Sequence, residues 1–216
     1  MCISKTIADL GFTEEKFHAG THMCLIYNDD QERRNIIGKY LESGLLSGEK
    51  VAYFADAATN DDIVDFLKRM NVCVSEAELE NISLSEAEKT YCPKGIFSPD
   101  EMLNTLRAYY DQSKREEYPR CRVSGEMSWA LRGIPGSGRL MEYEALVNRV
   151  LETHPVTAIC QYNANAFDGQ MILRCLEVHP YMIIRGQVVH NPFYMKPEDF
   201  IKSQVNREQS NAIALQ

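Results

Sequence analysis

The chain predicts an α/β fold, a three-layer arrangement in which a mostly parallel sheet carries helices on both faces. Three observations predict it. Short apolar runs of strand length alternate with longer amphipathic stretches along the 216 residues. The runs are nearly continuous in apolar character, as strands covered on both faces must be. Helix-start and helix-stop residues fall between them.

The elements follow in order. Residues 1–20 are read as a lead-in with one short helix. Met23 to Tyr27 is an apolar run, hence a buried strand. Asn28 to Asp30 supply turn and cap chemistry, with Asp29 three residues before Glu32. Ile36, Ile37, Tyr40, Leu41 and Leu45 then share a helical stripe, which Gly48 ends. Val51 to Ala55 is the next strand. Thr59 is expected to cap a helix carrying Ile63, Phe66, Leu67 and Met70. Ile82 to Leu84 is a short strand. Ser98-Pro99-Asp100-Glu101 is a helix start, with Met102, Leu106, Tyr109 and Tyr110 on the apolar face that follows. Arg122 to Leu131 reads as a strand. After a glycine-rich turn, Leu140, Tyr143, Val147, Val150 and Leu151 mark a helix. Val156 to Tyr162 is a buried strand, and Asp168 to Val178 a helix ended by His179-Pro180. Met182 to Val189 is a last strand or hairpin turning near Gly186. Ser203 to Gln216 is polar and reads as a tail or linker.

Composition narrows the function. The formal charge of −8 argues against direct nucleic-acid binding, since phosphate contacts need a basic surface. No apolar run reaches membrane-spanning length. Met1 to Phe12 lacks the basic start and apolar block of a secretory signal, so the expected location is the cytoplasm. The seven cysteines are odd in number and scattered without C-x-x-C, which suits core thiols rather than a disulfide framework.

Gly133 to Leu140 reads G-I-P-G-S-G-R-L, close to the phosphate-loop pattern G-x-x-x-x-G-K-[ST]. Arg139 replaces the lysine, and Leu140 replaces the hydroxyl that would hold Mg²⁺. Tyr40 to Phe54, Y-L-E-S-G-L-L-S-G-E-K-V-A-Y-F, resembles the helix-to-strand stretch after the phosphate loop in RecA/KaiC-type ATPases. The corresponding loop position, Tyr27 to Arg34, reads Y-N-D-D-Q-E-R-R, without glycine or lysine.

A fuller pattern resembles the MEDS domain, the methanogen/methylotroph DcmR-type sensory domain. It comprises T-H-M-C-L-I-Y from Thr21, G-L-x-x-G-E at 44–49, Y-C-P-K-G-I-F-S-P-D-E-M at 91–102 and R-V-S-G-E-M-S-W-A-L at 122–131. L-M-E-Y-E at 140–144, C-Q-Y-N at 160–163, and H-P-Y with N-P-F-Y between 179 and 194 complete it. The resemblance implies a RecA/KaiC-like fold without hydrolysis. It implies a sensor of a small organic ligand, a C1 compound or hydrocarbon derivative, acting in signal transduction or transcriptional regulation. Residues 1–202 would form this single domain, with 203–216 as tail or linker. A histidine kinase or a transcription regulator would be the output partner, and a homodimer is compatible with the pattern. Neither output domain is expected within these 216 residues beside the sensor. No cofactor, metal, membrane or nucleic-acid contact is expected.

Ligands of open α/β sheets bind beyond the carboxyl ends of the strands. That rule selects Tyr27 to Asp30, Asp56, Glu126 to Trp129, and Gln161 to Asn163. Glu126 beside the sole tryptophan, Trp129, suits a polar or cationic group. The plainer reading pairs Glu126 with Arg122 or Arg132 beside a core Trp. His22 and Cys24 share a strand face and, with His179 or Glu126, could bind zinc or haem iron, although the spacing is no standard metal signature. The plainer reading is one hydrogen-bonded His and one core Cys. Gln161 and Tyr162 orient a ligand or satisfy loop backbone. Tyr91 is a lid or a packed aromatic, and His179-Pro180 is structural before it is a ligand contact. The expected site is thus His22, Cys24, Tyr27, Tyr91, Glu126, Trp129, Gln161, Tyr162 and His179. No catalytic set emerges. The alternatives are a divergent nucleotide-binding ATPase at 133–139 and a metal or redox sensor built on His22 and Cys24.

Overall fold

A computed structural model describes residues 6–56 and 63–214, with side chains through residue 206. The expected cap Thr59 lies outside the described residues. In place of a lead-in helix, the described chain starts with an antiparallel hairpin, β1 (Ile7–Asp9) and β2 (Lys16–His18). Gly11, at φ 78°, makes the turn possible. A Cβ there would stand 2.2 Å from the Lys39 carbonyl oxygen, so only glycine lets the hairpin lie this close to the first helix. Ala8, Leu10 and Phe17 are buried beneath it.

The apolar runs pair into one seven-stranded sheet. Its strands are β3 (His22–Tyr27), β4 (Lys50–Ala55), β5 (Ile82–Glu86), β6 (Cys121–Glu126), β7 (Val156–Asn163), β8 (Tyr181–Ile184) and β9 (Gln187–His190). The spatial order is β5-β4-β6-β7-β3-β8-β9. All neighbours are parallel except β8 and β9, which form the expected hairpin around Gly186.

The helices are α1 (Asp30–Leu46), α2 (Ile63–Arg69), α3 (Glu76–Leu79), α4 (Ala87–Tyr91), α5 (Pro99–Arg115), α6 (Leu140–Leu151), α7 (Gly169–Val178) and α8 (Pro197–Ala214). They cover both faces. On one, Ile37, Tyr40 and Leu41 of α1 pack on Met23, Leu25, Val51, Tyr53 and Ile159. On the other, Leu140, Tyr143 and Val147 of α6 pack on Cys24, Val123, Ala158 and Tyr162. Each large apolar side chain so buried contributes about 1.5–3 kcal/mol before chain entropy is subtracted.

Two further expectations need correction. The strand read as Arg122 to Leu131 ends at Glu126. Met127 N–H donates to the Gln161 carbonyl at 3.1 Å, and Ser128–Arg132 then curls into 3-10 turns that carry Trp129 back into the core. The polar stretch from Ser203, read as a tail, continues α8, whose Phe200 is fully buried.

The cap at α1 follows the sequence. Asp29 Oδ1 accepts from the backbone N–H of Gln31 at 2.7 Å and of Glu32 at 3.4 Å. We expect Asp29→Ala to cost about 0.5–2 kcal/mol, read as a lower urea midpoint at unchanged slope. Asp29→Ser should recover most of the loss.

Candidate functional site

Strand alternation sorts the sequence-derived candidates onto two faces. Successive side chains point to opposite sides of a strand. Glu126 therefore stands beside its register partner Gln161 on the α1 face, while Tyr162 and Cys160 point to the α6 face. The nine expected residues do not share one pocket. They fall into three places.

The first is the carboxyl edge of the sheet on the α1 face. Its centre is Arg33, a buried residue of α1 that sequence reading did not select. Arg33 Nη1 donates to Tyr53 Oη at 2.9 Å, Glu126 Oε1 at 3.0 Å and Gln161 Oε1 at 3.1 Å. Its Nε donates to Asp30 Oδ1 at 2.8 Å. Tyr53 Oη also donates to Glu126. Gln161 Nε2 in turn donates to Ser124 Oγ at 2.9 Å. The Arg33 guanidinium lies 5.5 Å from the centre of the Tyr27 ring. Burial works against the charged form of Arg33, but Tyr53, Glu126 and the Asp30 hydrogen bond together offset it and hold the proton more firmly. Burial pushes Tyr27 up to about 12, so its phenol stays neutral. Glu126 is thus paired, but with Arg33 rather than Arg122 or Arg132. Arg122 binds Glu49, and Arg132 binds Asp56 and Glu88. A basic residue at the fourth position of a capped helix that follows a strand was the available signal for Arg33.

The second place is a buried polar cluster on the α6 face. It gathers His22 of β3, Glu144 of α6, Cys160 of β7 and His179 after α7, with their donor atoms all within 4.8 Å of one another. Cys24 and Cys175 adjoin His179. Tyr162 Oη donates to Glu144 Oε1 at 2.6 Å. Burial favours the neutral form of Glu144, yet the His179 and His22 imidazoles beside it together outweigh burial and keep the carboxyl well below its usual range. Burial pushes the Cys160 thiol up and His22 down. Glu144 was missed because it sat inside an apolar stripe. Its spacing from Leu140, Val147 and Leu151 put a carboxylate on the inward face, and that mismatch was the signal.

The third place is aromatic. Tyr91 stacks on Trp129 with ring centres 5.0 Å apart, and Phe97 meets Trp129 at 4.9 Å. Trp129 is fully buried, so neither it nor Tyr91 forms a wall of the carboxyl-edge site. The glycine-rich turn serves this core. Phe97 N–H donates to the Pro135 carbonyl at 2.8 Å, and a Cβ on Gly136 would stand 2.2 Å from the Phe97 oxygen. Arg139 is tied to Glu142 at 2.7 Å.

A cleft of about 260 Å³ opens at the ends of β3 and β8, lined by Ile26, Tyr27, Asn28, Glu32, Ala164, Ile184 and Arg185. Tyr27 joins it to the Arg33 network. The Gln31 and Glu32 amides of α1, which could receive an anion, already donate to Asp29.

The scaffold is of the KaiC/RecA-like α/β class. It superposes on the KaiC-like protein PH0186 of Pyrococcus horikoshii OT3 with a TM-score of 0.50 at 17% identity, covering 77% of this chain and 71% of that one. It superposes on the flagellar accessory protein FlaH of Methanocaldococcus jannaschii with a TM-score of 0.53 at 14% identity, covering 79% and 75%. Residues 21–180 match the model of the MEDS family, the MEthanogen/methylotroph, DcmR Sensory domain, and the chain belongs to that family. It is also 25% identical over 159 residues to the transcriptional repressor DcmR of Methylorubrum extorquens, spanning 73% of this chain and 57% of the repressor. No described helix is long and apolar enough to cross a membrane.

Proposed function

We propose that this sensory domain is non-catalytic and binds a small organic molecule in the cleft at the carboxyl ends of β3 and β8. The carrying observation is Arg33. One guanidinium joins the cleft wall at Tyr27 to Glu126 of β6, Gln161 of β7 and Tyr53 of β4. A ligand that presses on Tyr27 or draws on Arg33 changes the pairing of several strand ends together. Such a ligand shifts the domain between conformers by its differential affinity for them. A cleft of about 260 Å³ with mixed polar and apolar walls suits a C1 compound or a short hydrocarbon derivative. The DcmR relative, a repressor by name, supports an output on transcription. That output would pass through a transcription-regulator or histidine-kinase partner, with the cytoplasm as the place of action. A homodimer is compatible with this role.

The test is thermal unfolding against a panel of C1 and short-chain compounds, with ATP as comparator. A cleft ligand at about 100 times its Kd should add about 2.7 kcal/mol of stability. Tyr27→Ala should remove that shift, and Glu126→Gln should weaken it. A shift with ATP that depends on Gly136 and Arg139 would replace this reading with a nucleotide site. No response to any compound would end it.

A further inference from the structure

The buried cluster on the α6 face does something the carboxyl-edge site does not require. His22 Nε2 lies 3.2 Å from Glu144 Oε2 and 3.4 Å from Cys160 Sγ. Cys160 Sγ lies 3.4 Å from Glu144 Oε2, and His179 Nε2 lies 3.6 Å from the same oxygen. Tetrahedral zinc, with Zn–N about 2.0–2.1 Å and Zn–S about 2.3 Å, separates its ligands by roughly 3.3–3.6 Å. The four distances fall close to that range. We propose that His22, Glu144, Cys160 and His179 hold one divalent metal ion, with zinc the best match to the donor set.

The hydrogen-bond pattern supports this independently of the distances. Asn148 Nδ2 donates to the carbonyls of Glu144, Ala145 and Val178. Its Oδ1 therefore faces His22 Nδ1 at 3.2 Å and needs a proton there. His179 Nδ1 lies 2.8 Å from the Cys175 carbonyl oxygen, which also needs a proton. Both imidazoles, when neutral, carry the proton on Nδ1 and turn a bare Nε2 lone pair toward the Glu144 carboxylate. Lone pairs facing a carboxylate repel unless a metal ion or a shared proton lies between them, and two such imidazoles on one carboxylate oxygen leave room for a single ion to replace that proton. His179 Nε2 has no hydrogen-bond partner although it is fully buried. Backbone and amide acceptors behind ligating histidines are the usual outer shell of a metal site.

Charge completes the case. Glu144 carboxylate and Cys160 thiolate together neutralise a divalent ion, and two neutral imidazoles fill its remaining positions. A buried neutral centre avoids the cost of an isolated buried charge. The neighbouring group Cys24, Cys175 and His179 is a poorer candidate. It would need the His179 Nδ1 lone pair, which the Cys175 carbonyl already claims for a proton. The four ligands come from β3, α6, β7 and the α7–β8 junction, so the ion would pin α6 and α7 to the centre of the sheet. All four residues are 7% exposed or less, and uptake accompanies folding.

The test unfolds the full chain in chelator and refolds it with or without zinc. With zinc, we expect a stoichiometric ion by elemental analysis and a higher unfolding temperature. Refolding with cobalt(II) should give tetrahedral d–d bands and a thiolate-to-cobalt charge-transfer band in the wild type. Cys160→Ser should lose the charge-transfer band. Asn148→Ala should weaken metal affinity about 10- to 100-fold. Tyr27→Ala and Glu126→Gln should keep the full metal content, which separates this centre from the ligand cleft. A wild type that refolds identically without metal and takes up neither zinc nor cobalt overturns the proposal. So does cobalt binding without a thiolate band, a result that stands even where the variants fail to fold.

Discussion

Glu49→Ala is expected to cost about 3–5 kcal/mol, enough to consume much of a typical domain's stability. Glu49 is fully buried and accepts from Arg122 Nε and from Arg120 Nε, each at 2.6 Å. Arg122 is also fully buried, beneath the Tyr40 ring at 4.7 Å. Arginine does not shed its proton in proteins. Burial works against the charge on Arg122, and the Glu49 hydrogen bond together with the charge of the Glu49 and Asp9 carboxylates more than offsets it. Removing Glu49 strands that charge with only two carbonyls, of Tyr40 at 2.7 Å and of Asp9 at 3.0 Å. The Asp9 contact ties the β1–β2 hairpin to the sheet, so the hairpin should loosen first. The check is urea unfolding, with the midpoint falling at constant slope and hydrogen exchange rising earliest across residues 7–18. Replacing both partners together, Glu49→Leu with Arg122→Met, should recover most of the loss, because no fully buried charge remains and the part-exposed Arg120 can turn to water. The exposed pair Lys16–Asp9 is the control. Its Lys16→Ala variant should move stability by no more than about 1 kcal/mol. A Glu49→Ala loss that small would mean the pair does not hold the hairpin.

The same ion pair explains a string that sequence reading could quote but not interpret. G-L-L-S-G-E at 44–49 supplies the acid and the room for its partner. A Cβ on Gly44 would stand 2.6 Å from Arg122 Nε, so the glycine clears the path of the guanidinium. Strand runs, helix caps and the parallel order were legible because period and capping are local properties. Pairing between distant residues was not. Glu126 was recognised at its strand end, but Arg33 lies 93 positions away and nothing in the chain marks the two as partners. Alternation along β6 and β7 could have divided Gln161 from Tyr162 before any coordinates existed, had the two strands been placed in register. The short helices α3 and α4 escaped notice because four or five residues carry too little periodicity to read. The hairpin of β1 and β2 escaped for the same reason, with strands of three residues each.

Trp129→Ala is expected to cost about 3–5 kcal/mol in the absence of any ligand. This decides between the two readings that its sequence position allowed. A tryptophan held for a ligand contributes little to the empty protein. A tryptophan stacked on Tyr91 with planes 19° apart and packed against Phe97 contributes through the whole of its buried surface. The indole Nε1 has no hydrogen-bond partner, so Trp129→Phe forfeits no bond and loses only ring volume. Its cost should fall clearly below that of Trp129→Ala, because the smaller ring leaves a smaller cavity. The chain has a single tryptophan, so its fluorescence reports this core alone. Emission should be blue-shifted in the folded state, resistant to aqueous quenchers, and unmoved by any compound that stabilises the domain through Tyr27. A Trp129→Phe variant that keeps its stability but loses the ligand response would return Trp129 to the binding site. The aromatic core would then have to open on binding, carrying with it the glycine turn that rests on Phe97.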